Sequence, residues 1–267
     1  MNCADIENEI RDNIKTLSRG LIQSNYQEAY EGYKNLYSLG QVALEPLKAK
    51  IGEIDWSQSK YKELSKYVSG IFSLIHDIDE NVADNILEKL TTDGCPDHIK
   101  ALLRSTCEFS LKNYKKYKIR GIEIFEHKEI KKGCIIQDLI GKWLKSVTEN
   151  DLSDISRLYI IRKEDIDNWA GTYTPVLFKI AVVWDNPYKA NSLRFWLFSL
   201  FTEHTLYHEI GHHIHRHKFG TDADQEKEAD RYASKIISNN HRYLSYLVNF
   251  LSKLGLKSNT NYYRWGL

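Results

Sequence analysis

Apolar residues recur at three- and four-residue intervals through the first half of the chain, the spacing that gathers them on one face of a helix. Leu36, Leu39, Ala43, Leu44, Leu47 and Ile51 make one such stripe, and Phe72, Ile75, Val82, Ile86, Leu87 and Leu90 fall on one or two more helices. Turn signals interrupt the pattern at Trp56-Ser57, Asp93-Gly94-Cys95-Pro96 and Lys132-Gly133. Few β-rich runs occur before about residue 130, so residues 1–133 are predicted to form antiparallel helices. Residues 47–51 (Leu-Lys-Ala-Lys-Ile) are echoed by residues 86–90 (Ile-Leu-Glu-Lys-Leu) at an offset of 39, close to the period of about 40 residues of paired-helix repeats.

After Gly133 the character changes. Ile135, Ile136, Leu139, Ile140, Trp143, Leu144 and Val147 predict an amphipathic helix, followed by two short β-like runs at residues 157–161 and 176–184. The second run is bounded by Gly171, Pro175 and Asn186-Pro187. Residues 134–267 are therefore expected to be a separate α+β domain. Its order is a helix, a small sheet, then two helices.

The chain has 267 residues, of which 42% are hydrophobic and 27% charged, enough apolar surface for a folded core. Lys plus Arg (37) nearly balance Asp plus Glu (36), so no global field points to nucleic acid or an anionic membrane. One local run, Lys112, Lys115, Lys116, Lys118 and Arg120 interleaved with Tyr114 and Tyr117, reads as a solvated helix face rather than a nucleic-acid patch. Cys3, Cys95, Cys107 and Cys134 are scattered without CxxC pairing, which fits a reducing, cytoplasmic location. The most apolar stretch, residues 193–201, contains Arg194 and is about half the ~20 residues a membrane-spanning helix needs.

The candidate chemistry lies near the C-terminal end. If residues 198–217 are helical, His208 and His212 leave one face a turn apart and can meet a single metal ion. Glu209 is turned by about a hundred degrees from His208, which leaves it beside the ion, placed to take a proton from water. Gly220 is expected to stop this helix. Asp222 with Gln225 resembles a capping box opening a second helix over residues 225–238. On that helix Glu226 and Asp230 are four apart and share a face. Glu226 would complete a His/His/Glu set, with Glu228 as the alternative carboxylate, and Asp230 could hold a ligand imidazole by its second nitrogen. His213, His215 and His217 raise the rival reading of a generic His-rich metal tract. The bland alternative is a solvated helix with no metal.

His208-Glu209-Ile210-Gly211-His212 followed by Glu226-Lys-Glu-Ala-Asp230 resembles the gluzincin metallopeptidases, whose pattern is HExxH and then ExxxD on another helix. The short spacing is most similar to the ImmA/IrrE-type and phage-exclusion Lit-type peptidases. The metzincin pattern fails, since it requires Gly at position 215 and His at 218, where this chain has His215 and Lys218. The resemblance covers roughly residues 157–239. It implies a zincin-like peptidase domain, a Zn²⁺ cofactor, Glu209 as general base, and an edge strand at residues 178–184 that pairs with substrate. Tyr232, His241 and Tyr243 are the candidates to steady the oxyanion. The implied partner is a specific protein substrate, a regulatory or phage/host factor, with no membrane and no strong nucleic-acid signal. In the first half, the segment around Leu39-Gly40 and Pro46-Leu47 resembles a degenerate HEAT-type solenoid. That half would then be a recognition module. A second class of function, a metal-stabilised regulatory or binding protein with little or no catalysis, fits the same residues.

Overall fold

A computed structural model describes residues 3–58, 62–92, 94–107, 110–130, 136–162, 170–174, 177–184, 192–217 and 222–243. The chain divides into two compact units, Met1–Asn113 and Tyr114–Leu267. The first is helical, built from α1 (Cys3–Gln23), α2 (Tyr26–Leu39), α3 (Leu44–Gly52), α4 (Lys62–Ile78), α5 (Glu80–Thr92) and α6 (Asp97–Cys107). Helix α4 packs against α1, α2, α3, α5 and α6. Leu17, Leu21, Leu36, Leu47, Ile71, Phe72 and Ile75 are fully enclosed in this unit. The stripe read across residues 36–51 is broken, because Gly40 at φ +58° ends α2 and a short 3-10 turn leads into α3. The second stripe is divided at Asp79, whose carboxylate accepts from the backbone N–H of Asn81 (3.0 Å) and Val82 (3.2 Å) and so caps α5.

The second unit contains β1 (Tyr114–Ile119), β2 (Ile122–His127), α7 (Ile136–Lys145), α8 (Glu149–Leu152), β3 (Arg157–Ile161), β4 (Gly171–Thr174), β5 (Lys179–Val183), α9 (Leu193–Ile214) and α10 (Ala223–Asn240). Its five-stranded mixed sheet has the order β1-β2-β3-β5-β4, with β2, β3 and β5 parallel and both outer strands antiparallel. The protein is thus α+β, mostly helical with one small sheet. Among the described residues no helix is long and apolar enough to cross a membrane.

Three expectations change. Residues 114–119 are a strand, not a helix face, so the division falls at 113/114 instead of 133/134. The physical reason is a period of two beyond Tyr114: Lys116 and Lys118 are exposed on one face while Tyr117 and Ile119 are half-buried on the other, and Lys116 pairs across the ladder with Glu123 at 2.8 Å. Arg120 and Gly121, at φ +52° and +83°, make the tight turn to β2. The Arg120 guanidinium then donates to the Val147 carbonyl at 2.6 Å and to that of Leu144, closing the C-terminal end of α7. The predicted edge strand also moves inward: β5 lies between β3 and β4, and β4 is the outer strand.

Candidate metal centre

Helix α9 begins at Ser192, whose hydroxyl accepts from the Phe195 N–H at 3.1 Å, and it is the scaffold of the site. It ends at Ile214, short of Gly220, which lies outside the described residues. The ending is a Schellman turn: the N–H of His217 reaches the His212 carbonyl at 3.0 Å and that of Arg216 reaches His213 at 3.1 Å. Arg216 takes the left-handed position at φ +51°, which glycine usually fills. Its guanidinium is held 3.1 Å from Asp154 and 4.3 Å from the centre of the Phe178 ring, contacts that offset the backbone cost. The turn folds His217 back over α9.

Helix α10 starts at Asp222, which accepts from the Asp224 N–H at 2.9 Å. Ala229, Ala233 and Ile236 form its buried stripe. Small residues let the two helices touch. A Cβ on Gly211 would stand 2.8 Å from the Cα of Ala229, so only glycine permits this approach. The carboxylates of α10 are thereby carried to the histidines of α9.

His208, His212 and Glu226 present their donor atoms within 4.8 Å of one another and could hold a metal ion. The two Nε2 atoms are 3.0 Å apart, and Glu226 sets Oε2 3.3 Å from His208 and Oε1 3.5 Å from His212. Ligands about 2.0–2.1 Å from a tetrahedral ion lie about 3.3 Å from each other. The separations are near that figure, with one carboxylate oxygen of Glu226 turned to each imidazole. Asp230 Oδ1 lies 2.8 Å from His208 Nδ1, which fixes that ring with Nε2 toward the cluster. Burial opposes a charge on His208, but the hydrogen bonds with Asp230 and Glu226 outweigh it and raise the imidazole to about 10. Burial, then the charge of His208, lower His212 to about 4.

Glu209 is buried one residue along, and burial pushes its carboxyl up to about 7, with His208 opposing and Glu226 reinforcing. That value suits a group that must both accept and return a proton. Strand β4 runs past it: a Cβ on Gly171 would lie 2.5 Å from Thr205 and 2.9 Å from Glu209 Oε1. Two residues on, Tyr173 faces the same helix and stacks edge-on against His213.

Glu228 is not in this group. Its Oε2 lies 3.0 Å from His217 Nε2, and it forms a second possible metal-holding set with His215 and His217. Tyr232 and His241 are engaged elsewhere. The Tyr232 hydroxyl donates to Asp151 at 2.9 Å, about two hundred degrees around α10 from Asp230. His241 is bound 2.8 Å from Glu203. Tyr243 is exposed. Two residues of this region escaped the sequence reading. His204, four before His208, lies within electrostatic reach of Asp230, and its signal was the same four-residue spacing. Glu203, almost fully buried, joins Tyr207, Asn240 and His241 and so clamps the far end of α10 to α9. Compared with known proteins, the chain matches no family model, no curated protein and no solved structure.

Proposed function

We propose that this chain is a zinc-dependent endopeptidase that cuts a specific protein in the cytoplasm, as its resemblance to the ImmA/IrrE-type and Lit-type gluzincins implies. The observation that carries the reading is the set of donor separations, 3.0, 3.3 and 3.5 Å among His208, His212 and Glu226, beside a buried carboxylate. Two imidazoles and a carboxylate are a donor set that suits zinc among the common divalent ions. When bound, such an ion supplies a water acidic enough to deprotonate near neutrality and a charge that polarises the scissile carbonyl.

The chain's own groups do the rest. Asp230 orients His208 so that Nε2 faces Glu226. Glu209 takes the proton from the attacking water and returns it to the departing amine, a cycle favoured by its pKa near neutrality. Substrate backbone pairs along β4, the outer antiparallel strand that begins against Glu209. The helical unit, with its HEAT-like echo, selects the protein to be cut.

Glu209→Gln tests the reading. The substitution keeps volume and hydrogen-bonding reach but cannot accept the proton, so cleavage of the target should fall by about 10²- to 10⁴-fold. Zinc content and melting temperature should stay near wild type. A Glu209→Gln protein that still cleaves, or that performs its cellular role in full, would move the assignment to a metal-stabilised binding protein.

A further inference from the structure

His212 Nδ1 and His217 Nδ1 are 2.8 Å apart, and His217 Nε2 is 3.0 Å from Glu228 Oε2. Such a chain can carry its protons in only two orders, because each neutral imidazole has one N–H and two like nitrogens cannot both donate. If His212 Nε2 binds a metal, its proton is on Nδ1 and must be given to His217 Nδ1. His217 then carries its own proton on Nε2 and gives it to Glu228. In the other order, His217 Nε2 is free to bind a metal and His212 Nε2 is protonated and is not.

We infer that His217 and Glu228 are a positioning pair for the metal site, locking His212 in the tautomer that exposes Nε2, and that the His215/His217/Glu228 cluster is not an independent second metal site. The inference rests on reading His208, His212 and Glu226 as the metal ligands. Each ligand imidazole is then backed by a carboxylate, His208 directly by Asp230 and His212 through His217. His217 is buried and its place is set by the Schellman turn at Arg216, so the relay is built into the end of α9. Glu228 is half-exposed, and the relay ends in solvent.

Zinc dissociation constants, measured on the full chain by chelator competition beside the melting temperatures of the metal-free forms, test this. His217→Phe keeps a buried ring and removes both nitrogens. Losing such a partner should raise the dissociation constant about 10- to 100-fold with little change in the metal-free melting temperature. Glu228→Gln can still accept the proton and should stay near wild type, whereas Glu228→Ala should weaken binding several-fold. In the zinc-loaded wild type, histidine nitrogen spectra should place the His217 proton on Nε2. If His217→Phe fails to fold, Glu228→Ala decides, and unchanged affinity there overturns the inference. Equal affinity of wild type and His217→Phe overturns it too, while leaving the metal site standing. A second zinc bound as tightly as the first, and lost in His215→Ala, also overturns it. No zinc on the wild type would instead sink the ligand assignment on which the inference rests.

Discussion

His213 Nε2 lies 2.7 Å from the carbonyl oxygen of Ser153, so this imidazole is tied to the loop before β3 and not to the His208/His212/Glu226 group one residue away. Burial holds it down to about 4, the Ser153 bond opposing and Arg216 reinforcing. The unfolded chain, with an ordinary histidine near 6.5, takes up this proton first as pH falls. Stability from a neutral His213 is present above about 6.5 and is lost between there and about 4, at most on the order of 3 kcal/mol. His212 adds the same sign, so a difference against a variant isolates the effect. In chelator, His213→Gln can still donate to Ser153 and should lose fewer degrees of melting temperature than wild type between pH 7.5 and 4.5. Equal losses would refute this.

Gly211 and Gly141 are both helical glycines, yet alanine should act on them with opposite sign. Alanine is intrinsically better in a helix by up to ~1 kcal/mol. At Gly141 the nearest atom a new Cβ would meet is Ile119 Cδ1 at 4.0 Å, so Gly141→Ala should raise the melting temperature. At Gly211 it meets the Ala229 backbone at 2.8 Å, and overpacking costs about 1–3 kcal/mol. Gly211→Ala should therefore lower stability and weaken zinc binding together. Retention of both would mean that the helices part without moving Glu226.

The two carboxylates of α10 should separate in a metal assay. Elemental analysis at saturating zinc should find the ion missing from His208→Ala, His212→Ala and Glu226→Ala. Glu228→Ala should keep its full equivalent, with only the several-fold weaker affinity expected of a group that acts through His217. If Glu228→Ala strips the ion and Glu226→Ala does not, the assignment is reversed.

Residues 1–113 enclose their own core around Leu17, Leu36 and Phe72, and expressed alone they should give a helical circular dichroism spectrum and a cooperative melt. A fragment ending at 133, which takes the β1–β2 hairpin without its sheet, should be more readily proteolysed. A disordered 1–113 fragment would show that the first unit needs the second.

Much of the site was legible because it depends on helical period alone. His208 and His212 share a face at four-residue spacing, and Glu226 and Asp230 repeat the arrangement on a helix announced by Asp222. What stayed hidden depends on contacts distant in sequence or on backbone that no residue type advertises. Tyr232 and His241 were candidates until their partners, 81 and 38 residues away, were placed. That Glu226 and not Glu228 stands beside His208 and His212 goes with the close packing of Gly211 on Ala229. The role of His217 follows from an arginine in a left-handed turn. The β1–β2 hairpin was misread because lysine and tyrosine fit a helix face as readily as a strand, and β4, at four residues, is too short to show a period.

His212 and Glu226 are 14 positions apart, so an ion joining them would act as a removable cross-link closing a short loop. A disulfide of similar span removes about 3 kcal/mol of chain entropy from the unfolded state. The buried stripe of α10 is only Ala229, Ala233 and Ile236, a thin apolar hold for a helix of 18 residues. Chelation should then free the first turns of α10 from α9 as a local opening, the far end staying clamped through Glu203, well before the sheet or the helical unit gives way, and the amides of those turns should exchange hydrogen first.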